Sequence, residues 1–142
     1  MIWTLGDAER TGSDSVTYKD LIVMVVDDFA TMRRIIRKIM KDLEFKEVIE
    51  AENGAEAFEL LKTNKVDVIV SDWNMPTMTG LELMKRVRAD ERFKSLPFLL
   101  VTAEAQKANI IEAIQAKVSN YVVKPFTPAA LAEKLAKIIP QG

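Results

Sequence analysis

Five side chains in this sequence have chemistry worth bringing together: Asp27 and Asp28, adjacent in the chain, then Asp72, Thr102 and Lys124. Three carboxylates, a hydroxyl and an ammonium would form an acidic site with one cation at hand. Two carboxylates about 4 Å apart repel by about 4 kcal/mol at an effective dielectric of 20, so three of them need a proton or a cation. The 142 residues include no histidine and no cysteine, which leaves only oxygen ligands. Oxygen donors select a hard ion, and Mg²⁺ suits a site that keeps open positions for water and phosphate. A carboxylate beside such an ion and an ammonium can attack phosphorus, because both neutralise charge on the transferring oxygens. The same two missing residue types exclude disulfides, thiolate metal sites, Ser-His-Asp and Cys-His catalysis, HExxH zinc sites and a histidine phosphorelay within the chain.

These residues are brought together only if the elements before them are strands of one sheet. From residue 20 onward, strand and helix signals alternate. Leu21–Val26 is a continuous apolar run, as in a strand buried on both faces. Met32, Ile35, Ile36, Ile39 and Leu43 follow with helical spacing. Val48–Ala51 is a short strand, and Asn53-Gly54 turns into a helix with Ala57, Phe58 and Leu61 inward. Val66–Val70 is a third strand, followed by a loop through Met75-Pro76 and a helix with Leu81, Met84 and Val87 inward. Phe98–Val101 is the fourth strand, Ile110, Ile111 and Ile114 mark the next helix, and Tyr121–Val123 is the fifth strand. Thr127 caps the last helix with Pro128 in its first turn, and Leu131, Leu135 and Ile138 face inward. Five strands alternating with five helices predict an α/β doubly wound parallel sheet with right-handed crossovers. In such a sheet ligands bind outside the carboxyl ends of the strands, where all five chemical residues stand.

The balance of 20 basic against 21 acidic residues gives a net charge of −1 and no global field for nucleic acid or an anionic membrane. No apolar run approaches the roughly 18–20 residues of a membrane span, and the start lacks a secretory pattern. A cytoplasmic protein is expected. Residues 1–19, polar and rich in small residues, are expected to form a flexible N-terminal arm before one domain at 20–142. The basic residues Arg33, Arg34, Arg37, Lys38 and Lys41 predict a solvated helix face.

VVDDFATMRR, SDWNMP, VTAEA and YVVKPF, in that order on those elements, resemble the two-component receiver domain. They are specifically similar to single-domain chemotaxis response regulators of the CheY type. The resemblance covers about residues 20–140. It implies a flavodoxin-like receiver fold, strand order 2-1-3-4-5, and phosphorylation-activated signalling by protein contact. Asp72 would be the phosphoacceptor. Asp28, Asp72 and the backbone carbonyl of Asn74 would hold Mg²⁺, with Asp27 on metal-bound water. Lys124 and Thr102 would contact the phosphoryl group, helped by the Ala103 amide. Asn74 and Glu104 would tune dephosphorylation, and Tyr121 would be a rotameric switch coupled to Thr102. Trp73 would report on the site by fluorescence. The Lys124–Pro125 bond is commonly cis in the family. The implied partners are a chemotaxis-type histidine kinase, a flagellar motor switch protein and a phosphatase, with the protein a monomer. Its chemistry would be limited to Mg²⁺-dependent self-phosphorylation and slow autodephosphorylation. Two departures stand out: Lys117-Val118-Ser119-Asn120 fills a turn often built with glycine, and Thr79 replaces a common acid before Gly80.

Other readings compete. Within the receiver class, the protein could act as a phosphate sink or bind a target other than the motor. A flavodoxin-like cofactor binder would need a Gly/Ser/Thr phosphate cradle where Asp27-Asp28 stands. A haloacid-dehalogenase-like phosphatase would carry D-x-D after the first strand, and here the acids are adjacent.

Overall fold

The computed structural model describes residues 18–103 and 107–139; Glu104 and residues 1–17 of the expected arm lie outside them. Five strands, β1 (Ile22–Val26), β2 (Glu47–Ala51), β3 (Val68–Asp72), β4 (Phe98–Thr102) and β5 (Asn120–Val123), alternate with five helices. The helices are α1 (Ala30–Asp42), α2 (Gly54–Thr63), α3 (Gly80–Ala89), α4 (Lys107–Gln115) and α5 (Pro128–Ile138). All strand pairings are parallel and the order is β2-β1-β3-β4-β5, as the resemblance implies.

Alternation along each strand divides the core into two layers. Met24, Val26, Ile69, Phe98 and Leu100 face Ala57, Phe58 and Leu61 of α2 and Met84 and Val87 of α3. Val23, Val25, Val68, Val70, Leu99 and Val101 face Ile36, Ile39 and Met40 of α1 and Leu131 and Leu135 of α5. Strands sandwiched this way have no solvent face, which is why β1 reads as one unbroken apolar run. Tyr18, at the end of the segment expected to be an arm, is buried and stacks on Phe45 at a ring separation of 4.5 Å, so the packed core includes it.

Several expectations shift. β3 begins two residues after the predicted run, because the Asp67 carboxylate accepts the Ile22 N–H at 2.8 Å and closes off the ladder's start. The polar residues Ser71 and Asp72 then continue the strand, with Asp72 in register with Val101. Asp72 and Thr102 are therefore the last residues of their strands, held in the ladder. Ile35 is not core: 46% of it is exposed. On α4, Ile111 and Ile114, two of the residues whose spacing marks the helix, are 44% and 60% exposed while Ala113 is buried. Helical spacing marks a stripe, but small alanines pack α4 onto the sheet and turn the larger residues outward. In α5 Ile138 is only half-buried, and Ile139 just beyond it is buried.

Candidate functional site

The site lies where β1, β3 and β5 end. Asp27 follows the last ladder residue of β1, and its N–H still donates to the Ala51 carbonyl of β2 at 3.1 Å. Its Oδ1 accepts the Phe29 N–H at 2.8 Å, a turn that leads into α1. The residue is fully buried, and its Oδ2 has no hydrogen-bond partner among the described residues. Asp28, next in the chain, is exposed. Carboxylate oxygens of Asp27, Asp28 and Asp72 all lie within 4.8 Å of one another. Lys124, following β5, reaches Asp72 Oδ1 with its Nζ at 3.0 Å. The Lys124–Pro125 peptide is cis.

Electrostatics follow from burial. Desolvation, with smaller contributions from Asp72 and Asp28, pushes the Asp27 carboxyl up to about 6, against the Phe29 N–H and Lys124, which lower it. Desolvation also raises Asp72, while the bond to Lys124 and its charge pull it back down. A buried carboxylate oxygen without a donor is costly in a metal-free fold. An oxygen-only donor set with one such atom fits a hard divalent cation.

The remaining sequence candidates fall around this cluster. Thr102 is buried at the end of β4, and its carbonyl accepts the Lys124 N–H at 2.7 Å. Leu100 is in register with Tyr121, and Thr102 with Val123. Thr102, two residues on from Leu100, thus shares its sheet face with Tyr121. Tyr121 is half-buried and packs against the core on that face. Trp73 is half-buried against the same core; Asn74 and Ala103 are exposed at the rim. Glu104 lies outside the described residues.

Three further residues contribute to the site or its frame. Gly80 begins α3 and donates to the Trp73 carbonyl at 2.9 Å, and a Cβ there would collide with the Asp72 carbonyl oxygen. Only glycine permits that approach. Thr79, a departure from the family pattern, closes a capping box with Glu82, the arrangement that a T-x-x-E spacing marks in a sequence. Arg33 belongs to the expected solvated face, yet its side chain is 17% exposed and its Nη1 donates to the Asp27 carbonyl at 2.8 Å. No sequence signal distinguishes it from Arg34.

Residues 23–136 match the family model described as the response regulator receiver domain. Chemotaxis protein CheY of Pseudomonas aeruginosa is 54% identical over 116 residues, covering 82% of this chain and 94% of that protein. Chemotaxis protein CheY-3 of Vibrio cholerae is 50% identical over 125 residues, covering 88% and 96%. Among solved structures, Vibrio cholerae chemotaxis protein CheY4 superposes with a TM-score of 0.80 at 33% identity, covering 84% of this chain and 99% of that one. With the parallel sheet and the acid rim at its strand ends, these matches establish that the chain belongs to the response regulator receiver family, among the CheY-type regulators, and serves phosphorylation-activated signalling in chemotaxis.

Proposed function

We propose that Asp72 takes a phosphoryl group from the phosphohistidine of a chemotaxis-type histidine kinase, and that Asp27, Asp28, Asp72 and the Asn74 carbonyl hold the Mg²⁺ this requires. The supporting observation is the arrangement of one carboxylate within 4.8 Å of two others and 3.0 Å from an ammonium, with a bare buried oxygen on Asp27. The Asp72 carboxylate attacks phosphorus, the P–N bond breaks, and its electron pair leaves on the imidazole. Lys124 then follows the charge onto the phosphoryl oxygens, and Thr102 and the Ala103 N–H donate to them. The bound ion supplies neutralisation of the same oxygens.

Output leaves by protein contact. Drawing Thr102 toward the phosphoryl group opens room beside α4 into which Tyr121 turns, which biases two packings of the α4–β5 surface. The exposed Ile111 and Ile114 give that surface apolar groups for a partner, in our reading the flagellar motor switch protein. No helix among the described residues is long and apolar enough to cross a membrane, in keeping with a protein that moves between kinase and target in the cytoplasm.

The test is labelling with acetyl phosphate and Mg²⁺. Wild type should form a hydroxylamine-sensitive acyl phosphate, and Asp72→Asn should form none. Undiminished labelling of Asp72→Asn would end the assignment.

A further inference from the structure

Asp27 and Asp28 are joined by one peptide unit, and its orientation decides where both carboxylates point. The carbonyl of that unit lies beyond the ladder of β1, whose register with β2 ends at Val26 and Ala51. A buried carbonyl past the end of a ladder needs a donor from elsewhere. Arg33, in the second turn of α1, supplies it: Nη1 donates to the Asp27 carbonyl at 2.8 Å. The guanidinium is itself held from behind, because its Nε donates to Glu50 Oε1 at 3.1 Å. Glu50 Oε2 accepts in turn from Arg37 Nη1 at 3.1 Å.

We infer that Arg33 is a positioning residue for the cation site: it fixes the Asp27–Asp28 peptide plane, with Glu50 as its anchor. The inference rests on the reading of the three aspartates as that site. With the Asp27 N–H on Ala51, Oδ1 on the Phe29 N–H and the carbonyl on Arg33, three of the four polar atoms of Asp27 are fixed by this chain. The fourth, Oδ2, is the bare one. The guanidinium bonds the carbonyl rather than a carboxylate of the cluster, so it orders the acids without competing with a cation for them. A planar fork can serve two acceptors at fixed directions at once, which an ammonium does poorly.

Arg37 provides the control. It shares Glu50 with Arg33, and no hydrogen bond joins it to Asp27 among the described residues. Mg²⁺ affinity is measured by titrating Trp73 fluorescence in the intact protein. Arg33→Met should weaken binding about tenfold, the lower end for lost outer-sphere support. Arg37→Met should change it less than about twofold, as for an exposed ion pair. Arg33→Lys, the variant of choice if the methionine does not fold, should fall between wild type and Arg33→Met. At saturating Mg²⁺, Arg33→Met should reach the wild-type extent of labelling by acetyl phosphate, which places its defect in ion affinity and not in the acceptor. Equal affinity in wild type and both Arg33 variants, or equal weakening by Arg33→Met and Arg37→Met, would overturn the inference. Asp28→Ala separates the two levels. If it binds Mg²⁺ as wild type does, the cation-site reading itself fails; if it loses affinity while the Arg33 variants do not, only the role of Arg33 fails.

Discussion

The acid rim after β1 and β3 and the turn between α4 and β5 both hold the chain where an isolated peptide would avoid being held. At the rim the cost is electrostatic: a fully buried carboxylate stands beside two others. At the turn it is conformational, with Lys117 at a φ of 68° in the left-handed region. The turn is repaired. Lys117 N–H donates to Ile114 and Val118 N–H to Ala113, closing the end of α4, and Arg88 donates from Nε to the Lys117 carbonyl at 2.9 Å. The rim is left unrepaired at Asp27 Oδ2. An unrelieved cost in a site of convergent charge is what binding or chemistry requires, whereas a relieved one reflects tolerance of an unfavourable residue.

The largest effect should come from breaking the rim mechanically. Gly80→Ala would put a methyl against the Asp72 backbone carbonyl, which has no rotamer with which to withdraw. We expect destabilisation of about 3 kcal/mol in urea melts, the upper range for overpacking, together with slowed labelling of Asp72. Gly54→Ala is the contrast. Its methyl would meet the Met78 side chain at 2.8 Å, and that flexible group can move. A melt of Gly80→Ala that matches wild type would show the close approach to be dispensable.

Next in size is the electrostatic cost itself. The Asp27 carboxyl, raised to about 6, binds a proton in the fold at a pH where the unfolded chain has released it. Between about pH 4 and pH 6 the folded state therefore holds more protons, and stability falls as pH rises through that window. Without metal at pH 7, Asp27→Asn should make the protein more stable by about 2–3 kcal/mol, the equivalent of the shift. The amide keeps its oxygen for the Phe29 N–H and turns donors toward the other acids. The gain should shrink at pH 5, where Asp27 is mostly protonated, and added Mg²⁺ should favour wild type. Urea melts in chelator at both pH values check this; a less stable Asp27→Asn at pH 7 would refute the desolvation argument.

Legibility in the sequence followed the range of the interactions involved. Strand runs such as Leu21–Val26 and the polar residues at strand ends are local signals, and the five chemical residues could be read as one rim before any contact was known. Strand order came from the family resemblance, since periodicity carries no information on which strands neighbour one another. What stayed hidden depends on fine packing. Ile111 and Ile114 look like core by spacing, but the alanine at 113 takes the inward position. Arg33 and Arg34 are indistinguishable by type, and only the path of α1 past the end of β1 sends one to the Asp27 carbonyl. Gly80 reads as an ordinary helix start until the carbonyl of Asp72 is found against it.

The smallest effect should come from relieving the turn. Lys117→Gly removes the Cβ from a left-handed residue while leaving its N–H bond to Ile114 and its carbonyl on Arg88 in place. Glycine enters that region without steric penalty, though it also gives the unfolded chain more freedom to lose. A net gain of about 0.5–1 kcal/mol is expected, because the left-handed region costs a residue with a Cβ about 1–2 kcal/mol and the freedom of glycine in the unfolded chain takes back about 0.4–1 kcal/mol. If the turn is merely tolerated, the gain should have no counterpart in the site chemistry. Mg²⁺ affinity by Trp73 fluorescence and labelling by acetyl phosphate should both match wild type, since neither the Asp27–Asp28 peptide nor Asp72 is bonded to the turn among the described residues. A shift in either, with the fold intact, would mean that the strain at Lys117 is felt at the rim and that the two regions are one mechanical unit. The same variant can still change how α4 meets a partner, because Ile114 lies three residues from the substitution and accepts its N–H. Unchanged chemistry with altered affinity for the partner proposed above would therefore sharpen the division, placing the rim on the phosphorylation side of the signal and the turn on the output side.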